Sequence, residues 1–383
     1  MPSEIFSSFD ICLIEDCNLR CRYCSTGFGR WGGTPRVMKK PVIDRTIDFI
    51  LGNSTPEFNI GFSGGETFMA FDKLQYFIER LFQAKKKQNK KIFVELSTNA
   101  LLLTELIIDF LIKHRISLVF SIDGNAQTTN RNRVSQEGKG VYGPLRSNFL
   151  LYKKQLQERS PHFQPTRADC TVDSKTCLSA SVQHLFDLGF NEVLARPVSP
   201  SEYTGFTDTA ANHHFLTSME QLIRTVLEPL DLSDIITGSY QQMLMNIREP
   251  ILSLIKPESS SISCGALKRQ ICITAGGEIV PCFLLYRTPR DQMNFGTVFD
   301  GINQTRMIEL SERFETSRSG CQACWAKPFC SQCYLYVKEM SESNLQFGSH
   351  PYCQLVKRSL TILKKELALR YPTKVSFHDD EHV

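Results

Sequence analysis

Between residues 9 and 198, short apolar runs rich in β-branched and aromatic residues alternate with longer stretches whose apolar positions recur every three or four residues. The runs at 9–15, 58–63, 91–98, 116–122, 167–172 and 192–198 end in turn-type residues and predict six strands. Between them, 72–87, 104–114, 145–158 and 178–188 carry helical periodicity. Strand, helix, strand in repetition predicts a parallel sheet with right-handed crossovers. Six units suit an incomplete barrel of the TIM type, a partial (β/α)6 barrel, with its chemistry at the carboxyl ends of the strands. A flat doubly wound sheet shares the same pattern.

Further along, residues 212–256 read as helical and carry little chemistry. From Cys264 to Cys353 the periodicity weakens and cysteines dominate, which predicts a segment that folds around its metals. Residues 355–369 read as a closing helix, followed by a frayed tail, FHDDEHV. The expected division is a barrel over 1–211, a helical bridge over 212–260, a cysteine-rich domain over 261–360, and a closing helix with a flexible tail over 361–383. A length of 383 residues fits two or three such domains.

Composition narrows the function more than the fold. With 42% hydrophobic and 22% charged residues the chain has an ordinary globular balance, which excludes wholesale disorder. A net charge of +4 is too mild to predict nucleic acid or membrane as a partner. The most apolar stretch, 101–112, is interrupted by Thr104, Glu105 and Asp109, and the opening MPSEIFSSFD lacks the basic and apolar regions of a secretory signal. A cytoplasmic location is therefore expected. There the 14 cysteines read as metal or cluster ligands rather than disulfides.

The cysteines are clustered. Cys17-x3-Cys21-x2-Cys24 follows the first predicted strand, on a loop at the barrel mouth. Three thiolates can hold a [4Fe–4S] cube and leave one iron without a protein ligand, but a zinc loop short of one ligand, or simple packing, has the same spacing. Further motifs stand at the ends of the next strands. Gly64-Gly65-Glu66 offers close backbone approach and a carboxylate suited to an amine, and Ser97-Thr98-Asn99 offers hydroxyl and amide groups suited to a ribose. Ser121-Ile122-Asp123-Gly124 follows, then Arg133, a candidate carboxylate clamp.

In this order the motifs resemble the radical S-adenosylmethionine (SAM) enzymes, over about residues 9–353, with CNLRCRYC similar to their cluster motif. The resemblance implies that Cys17, Cys21 and Cys24 hold a catalytic [4Fe–4S] cluster whose free iron binds SAM. Reductive cleavage then yields a 5′-deoxyadenosyl radical that abstracts a substrate hydrogen. It implies further that Tyr23 flanks the adenine, that Gly64, Gly65 and Glu66 bind the methionine amine, that Asn99 and Ser121 approach the ribose, and that Arg133 holds the carboxylate. Thr67 stands where proline commonly follows the GGE motif, and Ala100 where glycine commonly follows TN.

The second cysteine set is Cys264-x12-Gly277-x4-Cys282, then Cys321-x2-Cys324-x5-Cys330-x2-Cys333, then Cys353. Paired CxxC motifs on their own also suit structural zinc. The pattern resembles the SPASM domain, an auxiliary-cluster module of radical SAM enzymes that modify peptides, although that family usually has three residues before the cysteine corresponding to Cys333. The resemblance implies one auxiliary [4Fe–4S] cluster on Cys264, Cys272, Cys282 and Cys333 and another on Cys321, Cys324, Cys330 and Cys353. Eight cysteines fill two cubes, so both clusters are expected to serve electron transfer, or to hold the fold, rather than bind substrate through an open iron.

STGFGRWGGTPRVM and RVSQEGKGVY are similar to loops of enzymes that cross-link ribosomal peptides. The leading expectation is a peptide maturase forming a thioether or carbon–carbon cross-link in a precursor peptide. It would be served by a reductant such as flavodoxin or ferredoxin, with the leader peptide bound by a separate leader-peptide-binding protein or by the barrel and bridge themselves. The second is an anaerobic sulfatase maturase forming formylglycine; those enzymes carry an aspartate where Phe283 follows Cys282. A non-catalytic zinc or iron–sulfur protein, using the basic run at 84–91 to bind a partner, is the alternative of another class; that run suits a solvated helix end better. Cys12, Cys170 and Cys177 are expected as small core residues and His213-His214 as a capping or surface pair. His378 and His382 are expected in solvent, and Phe28 and Trp31 either over the cofactor or in packing. No general base can be chosen.

Overall fold

The computed structural model describes residues 6–85, 89–159, 166–199, 201–227, 242–255, 264–286, 293–334 and 351–371. Strands β1 (Phe6–Ile11), β2 (Ser54–Phe62), β3 (Lys91–Thr98), β4 (Ile116–Ser121), β5 (Arg167–Val172) and β6 (Glu192–Pro197) alternate with helices α1 (Lys40–Asn53), α2 (Phe71–Lys85), α3 (Glu105–His114), α4 (Ala126–Asn132), α5 (Tyr142–Arg159) and α6 (Leu178–Leu188). Then come α7 (Ala211–Leu227), β7 (Met243–Leu244), α8 (Met245–Ile255), β8 (Gln270–Ile273), β9 (Ile279–Val280), the hairpin β10 (Gly296–Thr297) and β11 (Gly301–Ile302), α9 (Gln304–Ser317) and α10 (Pro351–Arg370). The result is a mixed α/β structure with a nine-stranded, mostly parallel sheet. The described residues form two compact units, one drawn from Met1–Asp169, Ser199–Thr207 and Gly265–Arg313, the other from Cys170–Val198, Asp208–Cys264 and Phe314–Val383.

In the first unit the strand order is β5-β4-β3-β2-β1-β8-β9, so β1 to β5 lie side by side in chain order. A doubly wound sheet reverses its order at a switch point, whereas a barrel of the TIM type does not. The partial-barrel expectation therefore holds. One face of this sheet is apolar: Phe9, Ile60, Phe62, Leu96, Leu118 and Phe120 are buried. Helices cover that face, with Phe62 edge-on to Phe77 of α2 and Phe120 edge-on to Phe149 of α5. Residues of the other parity are polar and half-buried, among them Asp10, Ser63, Glu95, Ser97, Ser121, Arg167 and Asp169. Register agrees across the strands: Asp10 pairs with Gly61, Gly61 with Glu95, and Glu95 with Ser117.

β8 was not expected. Gln270-Ile271-Cys272-Ile273 pairs in parallel with residues 8–11 of β1, and β9 adds antiparallel to β8. Residues 270–280 thus belong to an apolar sheet, with Ile271, Ile273, Ile279 and Val280 all buried, rather than to a segment organised only by its cysteines. In the second unit, β6 pairs with β7 in parallel, and the Asn246 side chain bonds both N–H and C=O of Ala195, tying α8 to β6. α7 and α10 pack together there, with Arg358 on Glu220 at 3.1 Å. Parts of the expected bridge (228–241 and 256–260) and of the expected cysteine-rich domain (261–263, 287–292 and 335–350), part of the basic run (86–88) and the tail with His378 and His382 lie outside the described residues. Among the described residues no helix is long and apolar enough to cross a membrane.

Candidate active site at the carboxyl ends of the strands

The loop after β1 carries Cys17, Cys21 and Cys24, each half-buried. Backbone N–H groups point at two of the sulfurs: Leu19 donates to Cys17 at 3.4 Å and Phe28 to Cys24 at 3.1 Å. Burial pushes the Cys17 and Cys21 thiols up; the nearby carboxylate of Glu66 and the other two thiols add to the effect at Cys17. The Cys17 and Cys21 sulfurs therefore feel the charge of neighbouring thiols in a partly desolvated loop. That setting is hostile to free thiolates and relieved by a bound cation, which fits an iron–sulfur cluster.

The GGE turn after β2 is wedged against this loop. Gly64 has φ +107, and a Cβ there would meet Trp31 Cη2 at 2.9 Å and Cys12 Sγ at 3.1 Å. A Cβ on Gly65 would strike the carbonyls of Asp16 and Ile14, the latter at 2.8 Å. The Glu66 amide donates to Asp16 O at 2.9 Å, closing the turn onto the cysteine loop. The Glu66 side chain points inward, where Oε1 accepts from Thr98 Oγ1 at 2.9 Å and Phe68 N at 3.2 Å, and Oε2 from Asn99 N at 2.8 Å. Burial pushes its carboxyl up to about 7, against the pull of those three donors. Glu66 thus stitches the end of β2 to the end of β3.

Asn99, at the end of β3, donates through Nδ2 to Asn18 Oδ1 at 2.8 Å, and that Nδ2 lies 3.8 Å from Cys17 Sγ. Ala100 takes φ +61, the left-handed backbone that glycine favours. Ser121 ends β4 and is half-buried. Two residues on, Asp123 is buried between Tyr23, whose hydroxyl donates to it at 2.5 Å, and Arg133, whose Nη2 donates at 2.9 Å. The guanidinium also lies over the Tyr23 ring, 5.5 Å from its centroid. Burial holds the Tyr23 phenol protonated, as a donor. Burial opposes the charge on Arg133, but Asp123 and its neighbours outweigh it and keep the guanidinium charged. Among the described residues, four buried polar atoms around this rim have no partner: Ser63 Oγ, Thr67 Oγ1, Trp31 Nε1 and Arg133 Nε. Such unspent bonding capacity fits a polar ligand such as SAM.

Trp31 and Phe28 both sit in left-handed backbone in the loop after Cys24; Trp31 is buried against Tyr286, while Phe28 lies under the Arg20 guanidinium. Neighbouring support went unnoticed in the sequence. Arg36 bridges buried Glu15 (2.7 Å) and Glu278 (3.1 Å) and reaches the Tyr286 hydroxyl. Its only sequence signal is an arginine downstream of a strand-end acid.

Of the second set, Cys321, Cys324, Cys330 and Cys353 lie in the second unit. After burial, the other three thiols are what push Cys353 up, to about 11. Cys264 donates its N–H to Ser331 O at 2.5 Å, so the Cys264 and Cys330–Cys333 segments adjoin. Among the described residues, no three such side chains converge closely enough to define a metal site by distance alone. Cys272 is fully buried on β8 beside Cys12. Cys12 and Cys170 are core residues as expected, but Cys177 is exposed, at the position just before α6. His214 bonds Thr176 O at 2.6 Å near the start of α7.

Residues 11–144 match the Radical SAM superfamily. Over 144 residues the chain is 29% identical to a cysteine-type anaerobic sulfatase-maturating enzyme of Clostridium perfringens strain 13, a match covering 36% of this chain and 38% of that relative. Among solved structures, anSMEcpe with bound AdoMet and Kp18Cys peptide superposes with a TM-score of 0.73 at 18% identity, covering 95% of this chain and 98% of the other. Streptococcus suis SuiB bound to precursor peptide SuiA gives 0.59 at 16%, covering 91% and 74%. The matched sequence, the partial barrel and the three-cysteine loop agree: over residues 11–144 this chain carries a radical SAM domain, and a cysteine-rich region follows it.

Proposed function

We propose that this chain is a radical SAM maturase that acts on a ribosomally made precursor peptide and installs an intramolecular thioether or carbon–carbon cross-link. Cys17, Cys21 and Cys24 would hold the catalytic [4Fe–4S] cluster, and the second cysteine set two auxiliary clusters, one of them on Cys321, Cys324, Cys330 and Cys353. When bound, cluster and SAM together supply a 5′-deoxyadenosyl radical for hydrogen abstraction. The protein's own part is orientation. The Gly64–Gly65 turn is packed against the cysteine loop with no room for a side chain, Tyr23 and Arg133 are held in place by Asp123, and Trp31 packs on Gly64 and Tyr286. The reductant would be a flavodoxin or ferredoxin, with a separate leader-binding protein as partner, in the cytoplasm.

The observation that carries the choice of reaction is the position after Cys282. Formylglycine formation, the activity that the Clostridium relatives' name implies, is the second reading, favoured by that match. Sulfatase maturases carry an aspartate there, but Phe283 packs its ring against the apolar cluster of Cys12, Trp31, Cys272, Val280 and Tyr286. An apolar residue in that role supplies no base. The test is anaerobic incubation with SAM, reductant and a Cys-containing precursor peptide encoded beside the gene, read by mass spectrometry. Loss of two hydrogens coupled to 5′-deoxyadenosine, with fragmentation locating a new bond, is the expected result. A formylglycine product on a sulfatase peptide would replace the lead reading with the second. Changing Cys17, Cys21 and Cys24 together to Ala should abolish 5′-deoxyadenosine formation.

A further inference from the structure

The family pattern counts Cys272 among four ligands of an auxiliary cluster, yet its surroundings differ from those of every other cysteine in that scheme. Cys17, Cys21, Cys24, Cys264, Cys282, Cys321, Cys324, Cys330, Cys333 and Cys353 are all part-exposed, as residues that must reach a bound cluster can be. Cys272 is 0% exposed. It lies on β8 with neighbours on both sides, in register with Asp10 of β1 and Val280 of β9, and Cys12 N–H donates to the next carbonyl, Ile273 O, at 2.9 Å. Its backbone is therefore fixed in the sheet. Its side chain shares a face with Gln270, whose amide bonds Asp10 Oδ2 at 2.7 Å.

On that face the Cys272 sulfur already has a partner, Cys12 Sγ at 3.6 Å. Trp31, Val280 and Tyr286 wall the pair, and Tyr203 and Phe283 pack over it. The space is filled to the point that Gly64 has no room for a Cβ beside Cys12. Free cysteine in such a setting is a small apolar filler with a weak S–H donor. We infer that Cys272 is a packing thiol paired with Cys12 and not an iron ligand. The auxiliary cluster expected on Cys264, Cys272, Cys282 and Cys333 then has three cysteine ligands and a fourth position for a donor from outside that set. This rests on the auxiliary-cluster reading above and reverses its corollary that neither auxiliary cluster has an open iron.

The experiment is iron counting after anaerobic reconstitution of the full chain, with circular dichroism as a fold control. The variants are Cys272→Ala, Cys272→Val, Cys12→Ala and Cys282→Ala. Wild type should hold about twelve irons per chain. Both Cys272 variants should keep that count while Cys282→Ala loses about four. Valine keeps the space filled if the alanine cavity unfolds the protein, and Cys12→Ala opens the same cavity without touching any assigned ligand. Equal loss of fold and iron in Cys12→Ala and Cys272→Ala, with Cys272→Val intact, also supports the packing role. A folded Cys272 variant that loses about four irons while Cys12→Ala keeps them overturns the inference alone. A wild type holding only about four irons overturns the auxiliary-cluster reading, and the inference with it.

Discussion

Asp123 is 1% exposed, and its two oxygens are committed to the Tyr23 hydroxyl and the Arg133 guanidinium. Removing one partner of a buried ion pair strands the other charge, at a cost of about 3–5 kcal/mol. Asp123→Ala should therefore lower stability by about that much in anaerobic urea denaturation, and adding Arg133→Met should recover part of it. Asp10 predicts a pH effect. Burial pushes its carboxyl up to about 6, with Gln270 offsetting some of the rise. A carboxyl raised on folding contributes stability that is fully present below about pH 4 and lost as pH climbs through 6. Against Asp10→Asn, wild type should thus lose on the order of 2 kcal/mol between pH 4 and 6 and run parallel above, as read from urea midpoints. The cysteines, the GGE triplet, Asn99 and Arg133 stood out as candidates because they fall in motifs of set spacing. Asp123 stood inside a quoted motif without a role, since only three dimensions bring Tyr23, a hundred residues away, against it.

The elements read most securely are those whose ends are chemically marked. β3, β5 and α6 lie where the pattern predicts them, and α3 begins beside Thr104, whose hydroxyl caps it by accepting from Ile107 N. Thr104→Ala should cost about 1 kcal/mol in the same denaturation assay, with α3 the first element to lose amide protection. β8 escaped because it is four residues long, sits in a cysteine-rich stretch that draws the eye to metal, and finds its partner some 260 residues upstream. α1 escaped although Pro41 marks its first turn: Lys39 precedes it without a side-chain cap, and neither its first nor its last turn carries a helpful charge. Between elements, the GGE turn shows how tightly loop and strand end are fitted. Gly65→Ala should displace the cysteine loop, and the expected readout is loss of the SAM-induced change in the reduced cluster's EPR spectrum in a protein whose circular dichroism is unaltered.

At the scale of the molecule, the sequence order of segments and their grouping in space diverge. Residues 265–313 join the first unit, although they follow the stretch expected as a bridge, because an apolar strand pairs wherever a free edge and a matching face exist. Until residues 270–273 have been synthesised, β1 has one row of backbone N–H and C=O groups with no strand beside it. An unpaired strand edge is a template for other chains. A nascent chain whose early strands pair before residues 270–273 emerge would carry an adhesive β1 edge until the late strand arrives. Expression of residues 1–211 alone, the piece that a reading by motifs would cut out, should give aggregated protein. Extending the fragment to residue 313 should leave more of it in the soluble fraction, as measured by sedimentation of freshly translated chains.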